Sequence, residues 1–287
     1  MARCGPQLGV GGARGRLDMN ASVMARIDRS WRLVATGAAF MAFGACGVLF
    51  SVAVFPFAWL WPHRASSQRV VATIIHWFFR ALVALLEALG VMKLEVSGAE
   101  TLSARGPAIV VANHPTYLDV VLLLALTPRA CCVVKNAHWG NPCFWGIVRA
   151  ARYVSNADPS ELIEAGARQL AAGYTMIVFP EGTRSPGGDR LHPFSRGFAH
   201  MALRAGVPVR PVLIDCDPPA FAKHMRWYHV PQRPFRMRVA VLEPLALERF
   251  TTAADTPPAA AARVLAQGVQ AHITEHLFAY GFFKTRN

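Results

Sequence analysis

Ala108-Ile109-Val110-Val111-Ala112-Asn113-His114-Pro115-Thr116-Tyr117-Leu118-Asp119 reads as a β-strand that runs directly into a helix. The first five residues carry no polar side chain, the composition of a strand buried on both faces. Pro115 suits the first position of a helix because its missing N–H has no intrahelical partner to lose. His114 therefore lies at the mouth of a strand-to-helix turn, where ligand sites of open α/β sheets gather. Asp119 sits about one turn into that helix, within reach of the imidazole. A carboxylate there orients the ring and raises its basicity, the arrangement needed to take a proton from a hydroxyl. A purely structural histidine fits the same spacing.

Outward from this turn the pattern repeats. Further β-rich runs occupy 131–134, 175–179, 209–214 and 236–242, and helical stretches cover 119–126, 160–172, 198–205 and 259–278. Such alternation predicts an α/β domain with a mixed, mostly parallel sheet flanked by helices, extending over 93–287.

Upstream the chain changes character. Residues 1–32 hold six arginines against two aspartates and are expected to form a disordered basic tail. From Leu33 to Trp61 no residue is charged, and a helix of that length reaches roughly 40 Å, more than the ~30 Å hydrocarbon core of a bilayer. Pro56 is expected to kink or end it. Trp59 and Trp61 suit an interfacial belt, with His63, Arg64 and Arg69 beyond. A second apolar helix over 70–92 places His76, Arg80 and Glu87 on one face. It reads either as a membrane-interface helix or as a core helix of the following domain. Together 33–92 is expected to anchor the protein to a membrane.

Composition agrees. Of the 287 residues 53% are hydrophobic, only 16% are charged, and the net charge is +13. An excess of that size points to an anionic partner, nucleic acid or an anionic membrane, and the uncharged run at 33–61 favours the membrane. Cysteines at 4, 46, 131, 132, 143 and 216 form no CxxC pair and suggest reduced thiols rather than a metal site or disulfide framework.

A second chemical feature follows the strand at 175–179: Phe179-Pro180-Glu181-Gly182-Thr183-Arg184. This turn sets a guanidinium beside glycine and exposed amides, a combination suited to a phosphate monoester. A surface turn with a solvated arginine is the other reading. Taken together and in this order, the two features resemble the glycerolipid (lysophospholipid) acyltransferase family, which includes the bacterial 1-acyl-sn-glycerol-3-phosphate acyltransferases. Its NHxxxxD motif is matched by Asn113, His114 and Asp119, its PEGTR block by 179–184, and its VPxxPV run by Val207, Pro208, Pro211 and Val212. The likeness covers roughly 75–245.

That resemblance implies His114 as general base and Asp119 as its orienting partner, with direct attack of the acceptor hydroxyl on an acyl thioester. Glu181, Gly182, Thr183 and Arg184 would hold the phosphate-bearing acceptor, and Lys135 matches an assisting basic position. The implied reaction makes phosphatidic acid from 1-acyl-sn-glycerol-3-phosphate. Acyl-CoA or acyl-carrier protein is the co-substrate, and neither cofactor nor metal is needed. The implied location is the inner (cytoplasmic) membrane with the domain facing the cytoplasm.

One motif departs from the family: where a GxxxIxR arginine is expected stands Asn156, with Arg149 and Arg152 at different spacings. The acceptor is therefore open to another lysolipid, and 227–231 with the basic run after it are expected to shape its site. Three rival readings carry less. His272-Ile273-Thr274-Glu275-His276 matches an H-x-x-E-H zinc signature, but no acidic residue follows among the last eleven. The G-x-S-x-G nucleophile elbow of a serine hydrolase is absent. A non-enzymatic basic scaffold would not need both motifs.

Overall fold

The computed structural model describes residues 11–61, 63–103, 106–136, 139–140, 142–187, 189–250 and 257–283. Seven strands form one sheet in the order β1-β7-β6-β2-β5-β3-β4. They are β1 Met92–Ser97, β2 Ile109–Ala112, β3 Ala130–Val134, β4 Val154–Ser155, β5 Thr175–Val178, β6 Val209–Asp217 and β7 Phe235–Val241. Every neighbouring pair is parallel except β6 with β7, which is antiparallel. The sheet is thus mixed and mostly parallel, as the alternation of runs predicts.

After the short α4 (Ala99–Ser103), helices α5 (Leu118–Leu126), α6 (Pro142–Ala150), α7 (Pro159–Ala171) and α8 (Gly197–Ala205) make the crossovers. The connection from β2 to β3 moves one way along the sheet, and those from β4 to β5 and β5 to β6 move the other. Right-handed crossovers then place α5 on one face and α7 with α8 on the other. The last helix, α9 (Pro258–Ala279), packs beside α8. The centre of the sheet is fully apolar: Ile109, Val110, Val111 and Ala112 are buried, as are Leu122 and Leu123 on one side and Phe198 and Met201 on the other.

The N-terminal region lies against this domain. Helix α1 (Gly11–Leu49) leads into a π turn at Phe50–Val54 and then α2 (Phe55–Leu60), with Pro56 in the first turn of α2. The π turn absorbs the backbone bond that Pro56 cannot make. Helix α3 (Arg64–Ala88) packs on α5, and its Val71, Ala72, Ile75, Phe79, Leu82, Val83 and Leu86 are buried. Those positions recur at the helical period, while Val70, Ile74, Trp77 and Leu85 on the opposite face are exposed. The helix therefore has both a core face and an outward apolar face. His76 belongs to the core side, donating from Nδ1 to the Leu124 carbonyl at 3.0 Å. Helices α1 and α3 are each long and apolar enough to cross a membrane.

Of the segment 1–32, the chain is helical from Gly11 onward; residues 1–10 lie outside the described residues. The physical reason is visible at its end. Arg32, 1% exposed, donates to the Gln232 carbonyl at 2.6 Å and pairs with Asp28. Trp31 Nε1 reaches the Leu89 carbonyl at 3.0 Å. Partners on the folded domain let a charged segment stay ordered. The boundary expected between 92 and 93 falls one residue inside β1.

Helix α6 (Pro142–Ala150) meets the π turn so closely that a Cβ on Gly146 would lie 2.3 Å from the Ser51 Cα. Its amide also donates to Ser51 Oγ at 3.2 Å. Gly146→Val is expected to push the anchor helices off the domain and to lower stability by about 1–3 kcal/mol, the usual cost of overpacking. Thermal unfolding in detergent micelles reads this, and an unchanged transition would show that the contact is not tight.

Candidate active site

β2 delivers Asn113 and His114 to the carboxyl edge of the sheet, beside the end of β5 that delivers Phe179 to Arg184. Asn113 is buried and bonds the next strand twice, donating from Nδ2 to the Ile214 carbonyl at 2.7 Å and accepting from the Ile214 amide at 2.8 Å. This stitch fixes where β2 ends and hence where His114 begins.

Asp119 is fully buried. Its Oδ2 accepts from His114 Nδ1 at 2.8 Å and from the Thr116 amide at 2.8 Å, and its Oδ1 accepts from Thr116 Oγ1 at 2.7 Å. With a carboxylate as partner, Nδ1 carries the proton, which leaves Nε2 as the basic nitrogen. Nε2 has no hydrogen-bond partner among the described residues. The ring stacks on Phe179, centroids 4.3 Å apart, so its plane is set from one side by packing and from one edge by Asp119.

The PEGTR turn divides into an inner and an outer part. Glu181 is buried and accepts from the His114 amide at 3.2 Å, Ser185 Oγ at 2.6 Å and the His192 amide at 2.9 Å. Its carboxylate is committed to holding the His114 backbone, and a negative charge there opposes rather than attracts a phosphate. Ser185 completes the brace: its amide donates to the His114 carbonyl at 2.7 Å and its Oγ accepts from the His114 amide at 3.1 Å. Gly182 turns the chain with φ +65°, a conformation that favours glycine.

Arg184 lies across the outer side. Its guanidinium stacks 3.6 Å from the Tyr117 ring centroid and donates to the Tyr117 hydroxyl at 3.0 Å, the Phe221 carbonyl at 2.8 Å and the Lys223 carbonyl at 3.3 Å. All these partners are neutral, so its charge is uncancelled. Thr183 is half-buried beside it. Lys135 is exposed at the same edge, just past β3. Asn156, just past β4, accepts from the Asn136 amide at 3.0 Å and closes the gap between these two strands.

Sequence reasoning missed three members of this constellation: Thr116, Ser185 and Tyr117. The first two lie within or next to the quoted motifs, and both are small hydroxyls in turns, the residues that bond nearby backbone. Tyr117 has no such signal. The H-x-x-E-H histidines lie on α9, with rings 4.1 Å apart and His276 Nδ1 donating to the His272 carbonyl at 2.9 Å. Burial, and then the neighbouring His276, lower the His272 pKa. No group of three metal-binding side chains occurs among the described residues.

An imidazole oriented by a buried carboxylate at a strand end, with a cationic turn beside it, suits proton transfer from a hydroxyl near an anion, and the comparisons point to a family. Residues 93–215 match the acyltransferase family model. In sequence the chain is similar to the 1-acyl-sn-glycerol-3-phosphate acyltransferase alpha of Mus musculus, 31% identical over 56% of this chain and 57% of that protein. It is also similar to the beta form of Homo sapiens, 26% identical over 74% of this chain and 75% of that one. Against the alpha relatives the chain therefore spans less than two thirds of their length. The fold matches the crystal structure of the 1-acyl-sn-glycerophosphate acyltransferase PlsC of Thermotoga maritima with a TM-score of 0.65 at 22% identity, covering 86% of this chain and 96% of that one.

Because Asp119 serves three donors, Asp119→Ala is expected to cost about 1–3 kcal/mol of stability through stranded buried donors. His114→Ala, which removes one of them, is expected to cost less. Chemical denaturation of the two variants checks the order.

Proposed function

We propose that the protein is a membrane-associated acyltransferase that moves a fatty acyl group from a thioester to the hydroxyl of a lysophospholipid. The observation that carries this reading is the His114–Asp119 pair, with Nε2 unpartnered at the sheet edge beside the Arg184 turn. His114 Nε2 takes the proton of the acceptor hydroxyl as its oxygen attacks the thioester carbonyl. The C–S bond then breaks, and the thiolate leaves with the proton returned from the imidazolium. Asp119 stabilises the imidazolium in between. No acyl-enzyme is required.

The acceptor most in keeping with the site is 1-acyl-sn-glycerol-3-phosphate, giving phosphatidic acid. Arg184, with no carboxylate partner among the described residues, and the exposed Lys135 supply a positive field for its phosphate. The similar proteins are named for that acceptor. Asn156 favours a second reading, a different lysolipid head group, since its side chain caps a strand gap instead of offering a cation. Acyl-CoA or acyl-carrier protein is the proposed donor, with no metal or cofactor. The outward apolar faces of α1 and α3 support membrane association, and the cytoplasmic face of the inner membrane is the proposed location.

Protein reconstituted in vesicles, given labelled acyl thioester and a panel of lysolipids, tests this. Transfer to lysophosphatidic acid is expected, reduced about 10²–10⁴-fold by His114→Ala, the range for loss of a general base. Transfer only to another lysolipid would keep the mechanism and change the acceptor. No transfer to any acceptor would overturn the reading.

A further inference from the structure

The loop between β6 and β7 combines three features that the acyl-transfer chemistry does not use. Lys223, His224, Arg226, Trp227, Tyr228 and His229 are all exposed, with Trp227 at 50% and Tyr228 at 41%. The loop is also continuous with the apolar outer face of α1. Trp227 packs over Gly37, where its ring lies 3.4 Å from the position of an added Cβ, and against Phe40 at 6.2 Å between centroids. Phe40 also meets Phe221 at 5.6 Å. On the same helix Val34 and Met41 are 66% and 72% exposed. Finally, the loop is tied to the site, because Arg184 donates to the carbonyls of Phe221 and Lys223.

Exposed tryptophan and tyrosine bordering an apolar helix, with cations beside them, form the residue mixture that settles at the head-group level of a bilayer. Arg226 donates to the Tyr228 hydroxyl at 2.6 Å, which holds both at one edge of the patch and leaves other guanidinium N–H groups to face outward. Arg233 is paired with Asp217 and contributes no free charge.

We propose that residues 223–229 are a head-group dock: Lys223 and Arg226 bind the phosphates of anionic phospholipids while Trp227 and Tyr228 sit at the interface. The dock holds the carboxyl edge of the sheet, and with it Arg184, against the membrane surface from which the acceptor comes. An acidic protein could use the same cations, but it would have no use for two exposed aromatic rings merging with the face of α1. The inference rests on the membrane association proposed above and is independent of which acyl acceptor is used.

Hydrogen–deuterium exchange of the full chain tests it, in vesicles of phosphatidylcholine alone and of phosphatidylcholine with phosphatidylglycerol. Amides of 223–229 are expected to exchange about tenfold more slowly with the anionic lipid, from two basic side chains at a charged surface. Joint replacement Lys223→Ala and Arg226→Ala should abolish that difference. Protection of α1 in both vesicles reports membrane insertion separately, so a failed anchor is not confused with a failed dock. Equal exchange of the loop in the two vesicles overturns the proposal. So does slowing that survives the double replacement, or slowing produced only by an acidic acyl-carrier protein.

Discussion

Burying one carboxylate is the constraint on which this structure turns. Asp119 has no contact with water, and an ionised group in that position is tolerated only when its oxygens are filled with donors. The Thr116 amide, the Thr116 hydroxyl and His114 Nδ1 fill them. Because all three donors lie in the turn between β2 and α5, satisfying Asp119 dictates the path of the turn, and the path dictates where the imidazole points. A second buried carboxylate, Glu181, holds the same turn from the neighbouring strand by accepting the His114 amide. The imidazole is thus located by two acids reaching it from opposite sides, one through the ring and one through the backbone. That is the kind of preorganisation a proton transfer requires.

From this centre the connections run outward without a break. Arg184 shares the turn with Glu181, rests on Tyr117 and ends on carbonyls of the loop at 221–223. The loop in turn carries the aromatic contacts to α1, and Arg32 fastens α1 to the residues just before β7. The long apolar helix α1 and the carboxyl edge of the sheet are consequently parts of one packed body. Gly146 shows the same economy where α6 meets the π turn: having no side chain, it lets Ser51 come close enough for its Oγ to accept the Gly146 amide.

Much of the arrangement can be read from local sequence. The uncharged run at 108–112, the Pro after His114 and the spacing to Asp119 predict a strand, a turn and an orienting carboxylate, and the alternation beyond them predicts the layered fold. What escapes is what depends on distant partners. Arg184 reads as a free cation in a turn, yet its acceptors lie 37 and 39 residues away. Glu181 reads as part of an anion site because its neighbours are glycine and arginine, yet its bonds go inward. β1 alternates charged with apolar residues and follows a long apolar helix, so it hides behind the stronger signal of α3. β4 is only two residues long, too short for any periodicity to show. Arg32 reads as one more arginine of a basic segment, yet the carbonyl that accepts from it lies 200 residues away.

The sheet's own borders carry a consequence for how copies of the chain meet. One edge is closed by the two residues of β4, and the other by β1, whose Lys93 and Glu95 put charge on the boundary strand, with Glu95 paired to Arg236 of β7. Short or charged borders resist the strand-to-strand addition that leads to aggregates. A protein with so much outward apolar helix therefore concentrates its stickiness on one kind of surface. Removed from lipid, it should self-associate helix against helix and leave its sheet intact.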